Sequence, residues 1–410
     1  MKMFRTWSWL IALGMWTSLV RSAPTPTLDS RGELEIDQMF QSAVRNGEIP
    51  GVVSLVTSKD RIIYFKAFGY QNVARKIPMS NGTIFRIASM TKPITSTGIM
   101  MLYEEGKVGL DDPVGRYLPA YTHREVIDRF NPADSTYTTR PARSEMTIRQ
   151  LLTHTAGLSY PFTSATVLAI QTKTGKDPRE MPLMYEPGTK WHYSPATAVL
   201  GEIIQKLSGQ PLEVWDEARV FRPLEMRDTT YSPTAAQVPR LATSHRREAG
   251  TLVEDQNPAQ YMADVRGDGG LLSTGADYAA FIQMLLNGGS WHGKQLLKPE
   301  TVRLMTSNQI GPLTVDAMPA VMPARSAAFP SGAGKDRFGF GFQIASADGA
   351  AIHERGVGSY SWGGINNTHF WVDPKNGIGV VILTQVLPFY NETSMSVVKR
   401  FERLIYQHLQ

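Results

Sequence analysis

Ser89 and Lys92 begin and end the four-residue segment Ser89-Met90-Thr91-Lys92, whose spacing is typical of an activated serine. Residues three apart lie on one face of a helix, so the amine of Lys92 can reach the hydroxyl of Ser89. A serine hydroxyl becomes a good nucleophile when a neighbouring base takes its proton, and a neutral lysine can be that base. The pKa of Lys92 must then lie below about 10.4, through burial or nearby positive charge. The segment therefore predicts acyl transfer through Ser89.

The same spacing occurs again at Ser396 and Lys399. Such a pattern arises about once by chance in a chain of this length. The second copy lies in an amphipathic terminal helix, so we interpret Lys399 as part of its solvated face. Ser89 differs because a helix is expected to begin there, which offers free N–H groups and a positive dipole to a developing anion.

Tyr193 is the candidate partner for this pair. It follows a turn at Pro187-Gly188 and precedes a helix pattern, which predicts an exposed phenol on a loop. A tyrosine near a lysine can relay the proton to the leaving group. His154 and His353 are expected to be structural, because the chain has no G-x-S-x-G nucleophile segment.

The third motif is Trp362-Gly363-Gly364-Ile365. Two glycines at a strand edge let a substrate carbonyl approach the backbone closely, so Trp362, Gly363 and Gly364 are candidate substrate-binding residues. The backbone N–H groups of Ser89 and Ile365 are candidate donors of an oxyanion hole. Taken alone, the motif is equally consistent with a glycine-rich bulge or a tight turn.

The elements around these motifs predict a mixed α/β (α+β) fold. Residues 29–46 and the terminal segment favour helices, while hairpin and strand patterns occur near both ends of the chain, at 51–56, 61–68, 338–344, 370–372 and 378–384. The simplest assembly is one antiparallel sheet flanked by the terminal helices, with a mostly helical lobe inserted.

The predicted organisation has three parts. Residues 1–22 have the layout of a signal peptide, which favours a secreted or periplasmic protein; an uncleaved anchor is the alternative. Residues 23–85 and 311–410 form the sheet domain and 86–310 the helical domain. The active site is expected in the cleft between them.

The composition argues against several classes of site and partner. The chain has no cysteine and no His-Glu-x-x-His pattern, so we expect neither a metal site nor a cofactor. The net charge of +5 is spread along 410 residues, which argues against nucleic acid as a partner. No segment after the first 22 residues is apolar enough to span a membrane. The oligomeric state is not indicated.

These motifs, in this order, resemble the serine β-lactamase and penicillin-binding-protein superfamily, and within it the family VIII carboxylesterases, whose third motif is Trp-Gly-Gly. The resemblance spans most of the chain and includes residues 151–158, Tyr193-Ser194 and 270–274. It implies Ser89 as acyl-enzyme nucleophile, Lys92 and Tyr193 as its proton-handling partners, and a two-lobed fold.

Two departures bear on the substrate. Pro195 stands where the lactamases and transpeptidases usually have asparagine, and Trp362 replaces a cation that would contact a substrate carboxylate. We therefore expect a serine carboxylesterase acting on small uncharged esters. The alternatives are a β-lactamase or D-amino-acid peptidase, an acyltransferase with an alcohol acceptor, and a catalytically silent binding protein.

Overall fold

The computed structural model describes residues 25–256 and 264–410. The predicted signal peptide, residues 1–22, lies outside these ranges. Among the residues described, no helix has both the length and the apolar character needed to cross a bilayer.

Helices lie at both ends of the described chain and through its middle. In chain order they are α1 Ser30–Arg45, α2 Thr91–Glu104, α3 Ile148–Leu152, α4 Ala165–Thr174, α5 Ala196–Ser208, α6 Leu212–Asp216, α7 Gly275–Leu286, α8 Pro299–Met305 and α9 Glu392–His408.

Strands occur near both ends of the described chain and, in further pairs, through its middle. They are β1 Gly51–Ser58, β2 Ile62–Asn72, β3 Ile77–Pro78, β4 Phe85–Arg86, β5 Glu125–Asn131, β6 Thr136–Pro141, β7 Ser244–Glu248, β8 Thr251–Gln256, β9 Leu272–Ser273, β10 Ser290–Trp291, β11 Lys294–Gln295, β12 Arg337–Phe338, β13 Gln343–Ile344, β14 Tyr360–Gly364, β15 Thr368–Asp373, β16 Ile378–Leu383 and β17 Val386–Leu387.

One antiparallel sheet unites the two ends of the chain. Its order is β12-β13-β14-β15-β16-β1-β2-β3, and Val53 of β1 pairs with Leu383 of β16. Strands β1, β15 and β16 are buried on both faces, which explains their long apolar runs. The predicted fold class, an antiparallel sheet built from both ends of the chain with terminal helices, is confirmed.

Helices α1 and α9 cover one face of the sheet. Both are amphipathic, and their apolar sides meet the sheet in one cluster that includes Phe40, Trp371 and Phe401. Helix α7 packs on the other face, where Gln283 donates to the Thr57 hydroxyl at 2.8 Å. Thus α7, although it lies within 86–310, belongs to the layer directly on the sheet.

Two features differ from the sequence-based expectation. Residues 338–344 were expected to be one strand, but they form the short strands β12 and β13, which pair with each other. Gly341 has φ +92° in the intervening turn, a conformation that favours glycine and breaks the strand. The inserted region also contains the hairpins β5–β6 and β7–β8, so it is less helical than expected.

Candidate active site

Ser89 lies in a single 3-10 turn, Ala88–Met90, immediately before α2. The turn is held from several sides: the Ile87 N–H donates to the Leu271 carbonyl at 3.0 Å, and the Tyr278 hydroxyl donates to the Met90 carbonyl at 3.0 Å. Ala88 has φ +45°, a left-handed conformation that is costly for a residue with a side chain. Surrounding contacts therefore impose the backbone shape that presents Ser89.

Gly364, at the end of β14, packs against this turn. A Cβ atom at Gly364 would lie 2.2 Å from the Ile87 carbonyl oxygen and 2.4 Å from the Thr368 hydroxyl. Only glycine allows this approach, so one glycine of the third motif fixes the distance between the sheet edge and the serine turn. Gly364 does not line the cavity beside Ser89. Its contact with substrate stays a prediction, beside the packing role that the structure shows.

Lys92 points its amine at Ser89. Its Nζ lies 3.2 Å from the Ser89 Oγ and donates to the Asp268 carbonyl oxygen at 2.8 Å. The side chain is buried, and burial lowers the pKa of Lys92 to about 7, with the positive charge of Arg266 acting in the same direction and Asp268 opposing it. At neutral pH a substantial fraction of Lys92 is therefore the free base that the chemistry requires.

Helix α2 carries Lys92 in its first turn, followed by Pro93. The first N–H groups of a helix have no intrahelical partner, so proline in that turn costs no hydrogen bond. Ser89 and Lys92 thus keep the i, i+3 relation expected from their spacing.

The Tyr193 hydroxyl donates to the Ser89 Oγ at 2.6 Å. Tyr193 was expected to be exposed, but only 3% of it is accessible, because the rings of Tyr160, Phe329 and Trp362 pack around it with centroids 5.1–5.7 Å away. Burial raises the pKa of Tyr193 above its usual value. The phenol is therefore a protonated donor, whereas Lys92 is the group able to act as base.

The loop that carries Tyr193 is aligned by the segment 151–158. The Gly188 N–H donates to the Thr155 carbonyl at 2.8 Å, and the His192 N–H donates to the His154 carbonyl at 2.9 Å. His154 itself is buried, with Nδ1 3.2 Å from the Ser194 hydroxyl, and burial lowers its pKa well below the usual range. His154 has the structural contacts expected of it, and its role is to hold the tyrosine loop.

A cavity of about 550 Å³ opens above Ser89. Trp362, Gly363 and Ile365 line it together with Ser89 and Tyr193. The backbone N–H groups of Ser89 and Ile365 stay a prediction as the oxyanion hole; both residues border the same space. Much of the wall is aromatic, with Phe162, Phe329 and Phe389 beside Trp362.

Three polar residues of the cavity have no motif in the sequence. Tyr160 donates its hydroxyl to an oxygen of Asp268, and Arg266 Nε lies 3.6 Å from the other oxygen. Asp268 lies within the glycine-rich run Gly267-Asp268-Gly269-Gly270, and its backbone carbonyl accepts a hydrogen bond from Lys92. That run, which leads into the expected segment 270–274, is the signal that points to Asp268.

The remaining candidates lie elsewhere. Lys399, of the second serine–lysine pair, is exposed on α9. His353 Nε2 lies 3.1 Å from Asp336, which directly precedes β12. Throughout 25–256 and 264–410, no three His, Asp or Glu side chains are arranged to hold a metal ion.

Comparison with known proteins gives concordant findings. A model of the Beta-lactamase family matches residues 36–394. Monacolin J acid methylbutanoyltransferase of Aspergillus terreus is 28% identical over 407 residues, covering 92% of this chain and 96% of that protein. Esterase EstB of Burkholderia gladioli is 28% identical over 378 residues, covering 85% and 89%. Simvastatin synthase (LovD) of Aspergillus terreus superimposes with a TM-score of 0.80 at 26% identity, covering 92% and 98%.

Proposed function

The chain belongs to the beta-lactamase family, and from that membership together with the geometry around Ser89 we propose a serine enzyme that hydrolyses carboxylic esters through an acyl-Ser89 intermediate. The observation that carries the proposal is the meeting of three groups from distant parts of the chain. The Ser89 oxygen has an amine at 3.2 Å and a phenol at 2.6 Å. The similarity to an esterase and to an acyltransferase supports the same class of reaction.

In the first half-reaction Lys92 takes the proton of Ser89 while the oxygen attacks the ester carbonyl. The negative charge that develops on the carbonyl oxygen would be stabilised by the N–H groups of Ser89 and Ile365. As the bond to the alcohol breaks, Tyr193 gives its proton to the leaving oxygen and regains one from the Lys92 ammonium. The products are acyl-Ser89 and the free alcohol.

In the second half-reaction water attacks acyl-Ser89 by the reverse route. An alcohol in place of water would give a new ester, so hydrolysis and acyl transfer share one intermediate. The relative named as a methylbutanoyltransferase favours acyl transfer as the second candidate function.

The acyl part of the substrate is expected to be uncharged and modest in size. Trp362 stands at the sheet edge, and its indole packs on Tyr193 with centroids 5.1 Å apart. Phe329 and Phe389 complete an apolar wall beside it, with ring centroids 5.2 Å apart. Burying an acyl chain against these rings is favourable, because it removes apolar surface from water.

The test is Ser89→Ala with Ser396→Ala as its matched control, because Ser396 has the same serine–lysine spacing but lies exposed on α9. We expect Ser89→Ala to reduce kcat for nitrophenyl esters by at least about 10³-fold, since no nucleophile remains. Ser396→Ala should keep full activity.

A fluorophosphonate probe supplies a second readout, because it labels an activated serine without any substrate preference. Labelling that persists in Ser89→Ala, or full turnover in that variant, would refute the proposal. Adding a primary alcohol to the assay and measuring ester product against free acid separates hydrolysis from acyl transfer.

A further inference from the structure

A second cavity of about 550 Å³ lies next to the one above Ser89. We call it the outer chamber; it lies between the end of α4, the start of α5 and the loop around Met322 and Arg325. The two cavities share five lining residues: Tyr160, Phe162, Arg266, Asp268 and Arg325. The two cavities therefore adjoin along these residues.

The position of Tyr193 indicates which part of an ester would lie towards this chamber. In the proposed reaction, which this inference extends, the leaving oxygen must lie within hydrogen-bond distance of the Tyr193 hydroxyl. The Tyr193 ring packs on Tyr160 and Phe162, with centroids 5.2 and 6.4 Å away, and both of those rings border the outer chamber. A group attached to the leaving oxygen on that side continues towards the chamber.

The outer chamber has more positive than negative charge available to a ligand. Of the basic residues that line it, Arg179 is paired with Asp177 and Glu202. Arg266 is paired with Asp264 and lies near Asp268.

Arg325 and Lys176 are left for a ligand. Both side chains are exposed, and neither forms an ion pair with an acidic residue in 25–256 or 264–410. The rest of the chain, residues 1–24 and 257–263, contains no Asp or Glu that could pair with them. Two side chains of uncompensated positive charge therefore border this chamber.

We propose that the outer chamber binds the alcohol part of substrates that carry a carboxylate, and that Arg325 contacts that carboxylate. A guanidinium suits the task because it can donate two parallel hydrogen bonds to a carboxylate. Arg325 borders both cavities, so it lies where a group leaving the first cavity enters the second. Lys176 adds a second positive charge in the outer chamber alone. The enzyme is then selective for an uncharged acyl part and an anionic alcohol part.

The test compares acetate esters whose alcohol part ends either in a carboxylate or in a neutral amide. Acetate esters of ω-hydroxy acids, 6-acetoxyhexanoate and 10-acetoxydecanoate, are each paired with their primary amide, and the readout is the ratio of kcat/KM for acetate release within a pair. We expect the wild-type enzyme to prefer at least one carboxylate by about threefold to tenfold, mainly through KM, because the contact is partly exposed to solvent. About 0.5 M salt should reduce the ratio.

Three variants test whether Arg325 is responsible for the preference. Arg325→Gln should bring the ratio to about one, and Arg325→Lys should keep part of the preference. Arg303→Gln is the matched control: Arg303 is an exposed arginine on α8 that lines neither cavity, so its variant should keep the wild-type ratio.

Two results would overturn the inference: a wild-type ratio of one or less at both chain lengths, or an unchanged ratio in Arg325→Gln. Failure of the proposed function gives a different result, because the folded wild-type enzyme would then cleave neither member of a pair.

Discussion

At the scale of single residues, the site divides its proton chemistry between an amine and a phenol. Burial lowers the pKa of Lys92 to about 7 and raises that of Tyr193 above its usual value. The two pKa values therefore differ in the useful direction. Near neutral pH the amine can accept a proton and the phenol can donate one. A serine next to either group alone would lack one half of this pair.

The pH profile follows from the lowered pKa of Lys92. Only the neutral amine can accept the serine proton, so kcat/KM for an uncharged ester should fall about tenfold per pH unit below about 7. Above that pH it should reach a plateau that persists to about pH 10, because the phenol of Tyr193 stays protonated there. Initial rates with nitrophenyl acetate across this range give the profile.

Two neighbouring charges should move the acidic limb of this pH–rate profile, where kcat/KM falls below about pH 7, in opposite directions. Asp268 raises and Arg266 lowers the pKa of Lys92. Asp268→Asn should therefore shift the limb to lower pH, and Arg266→Gln should shift it to higher pH, each by up to about one unit. Each variant is the control for the other, since loss of packing alone would reduce the rate without opposite shifts. Shifts of the same sign would contradict the assignment of Lys92 as the base.

The sequence predicts only part of this residue-scale arrangement. Ser89 and Lys92 are recognisable because their contact follows from helical spacing, which needs no knowledge of the tertiary fold. Asp268, Tyr160 and Arg325 come from loops, and what brings them to the cavity is the packing of distant segments. No periodicity in the chain reports that packing; among these three residues only Asp268 has a local signal, the glycines around it.

At the scale of elements, the glycine at the end of β14 sets how closely the sheet edge approaches the serine turn. In Gly364→Ala the new methyl group would overlap the Ile87 carbonyl oxygen at 2.2 Å, and neither backbone can yield cheaply. We expect the turn to shift, kcat to fall by about 10- to 100-fold and unfolding to become easier by about 1–3 kcal/mol.

Gly82→Ala is the control for that change, because the nearest atom to its Cβ would be 3.9 Å away. Ester kinetics and thermal unfolding of both variants provide the measurement. A Gly364→Ala enzyme with wild-type kcat would show that the approach of β14 does not position Ser89.

Element boundaries also show where sequence patterns succeed. Helices α1 and α9 agree closely with expectation because each has a polar cap and one continuous apolar face. The hairpin β5–β6 is largely exposed, so its residues show little of the apolar alternation that a half-buried strand needs to be recognised. The expectation of a single strand at 338–344 was wrong because apolar residues continue through a glycine turn, so the sequence pattern does not show where the first strand ends.

At the scale of the whole molecule, one aromatic cluster joins the terminal helices to the sheet. Phe401 of α9 is fully buried and contacts the rings of Phe40, Tyr64 and Trp371, with centroids 5.0–6.4 Å away. Phe401→Ala should lower the free energy of unfolding by about 3–5 kcal/mol, since it removes a ring and leaves a cavity.

Lys399→Ala is the control, because this side chain is exposed on the same helix. Denaturant unfolding of the two variants gives the comparison. Equal stability of Phe401→Ala and the parent protein would contradict the packing of α9 on the sheet.

The pairing of β1 with β16 joins residues more than 300 positions apart, since Val53 lies opposite Leu383. During synthesis a growing chain carries the serine, the amine and the phenol long before the ribosome has made the strands that complete the sheet beside them. Contacts of such long range also form slowly once the chain is free. The order of translation therefore delays the finished pocket until nearly the whole protein has been made.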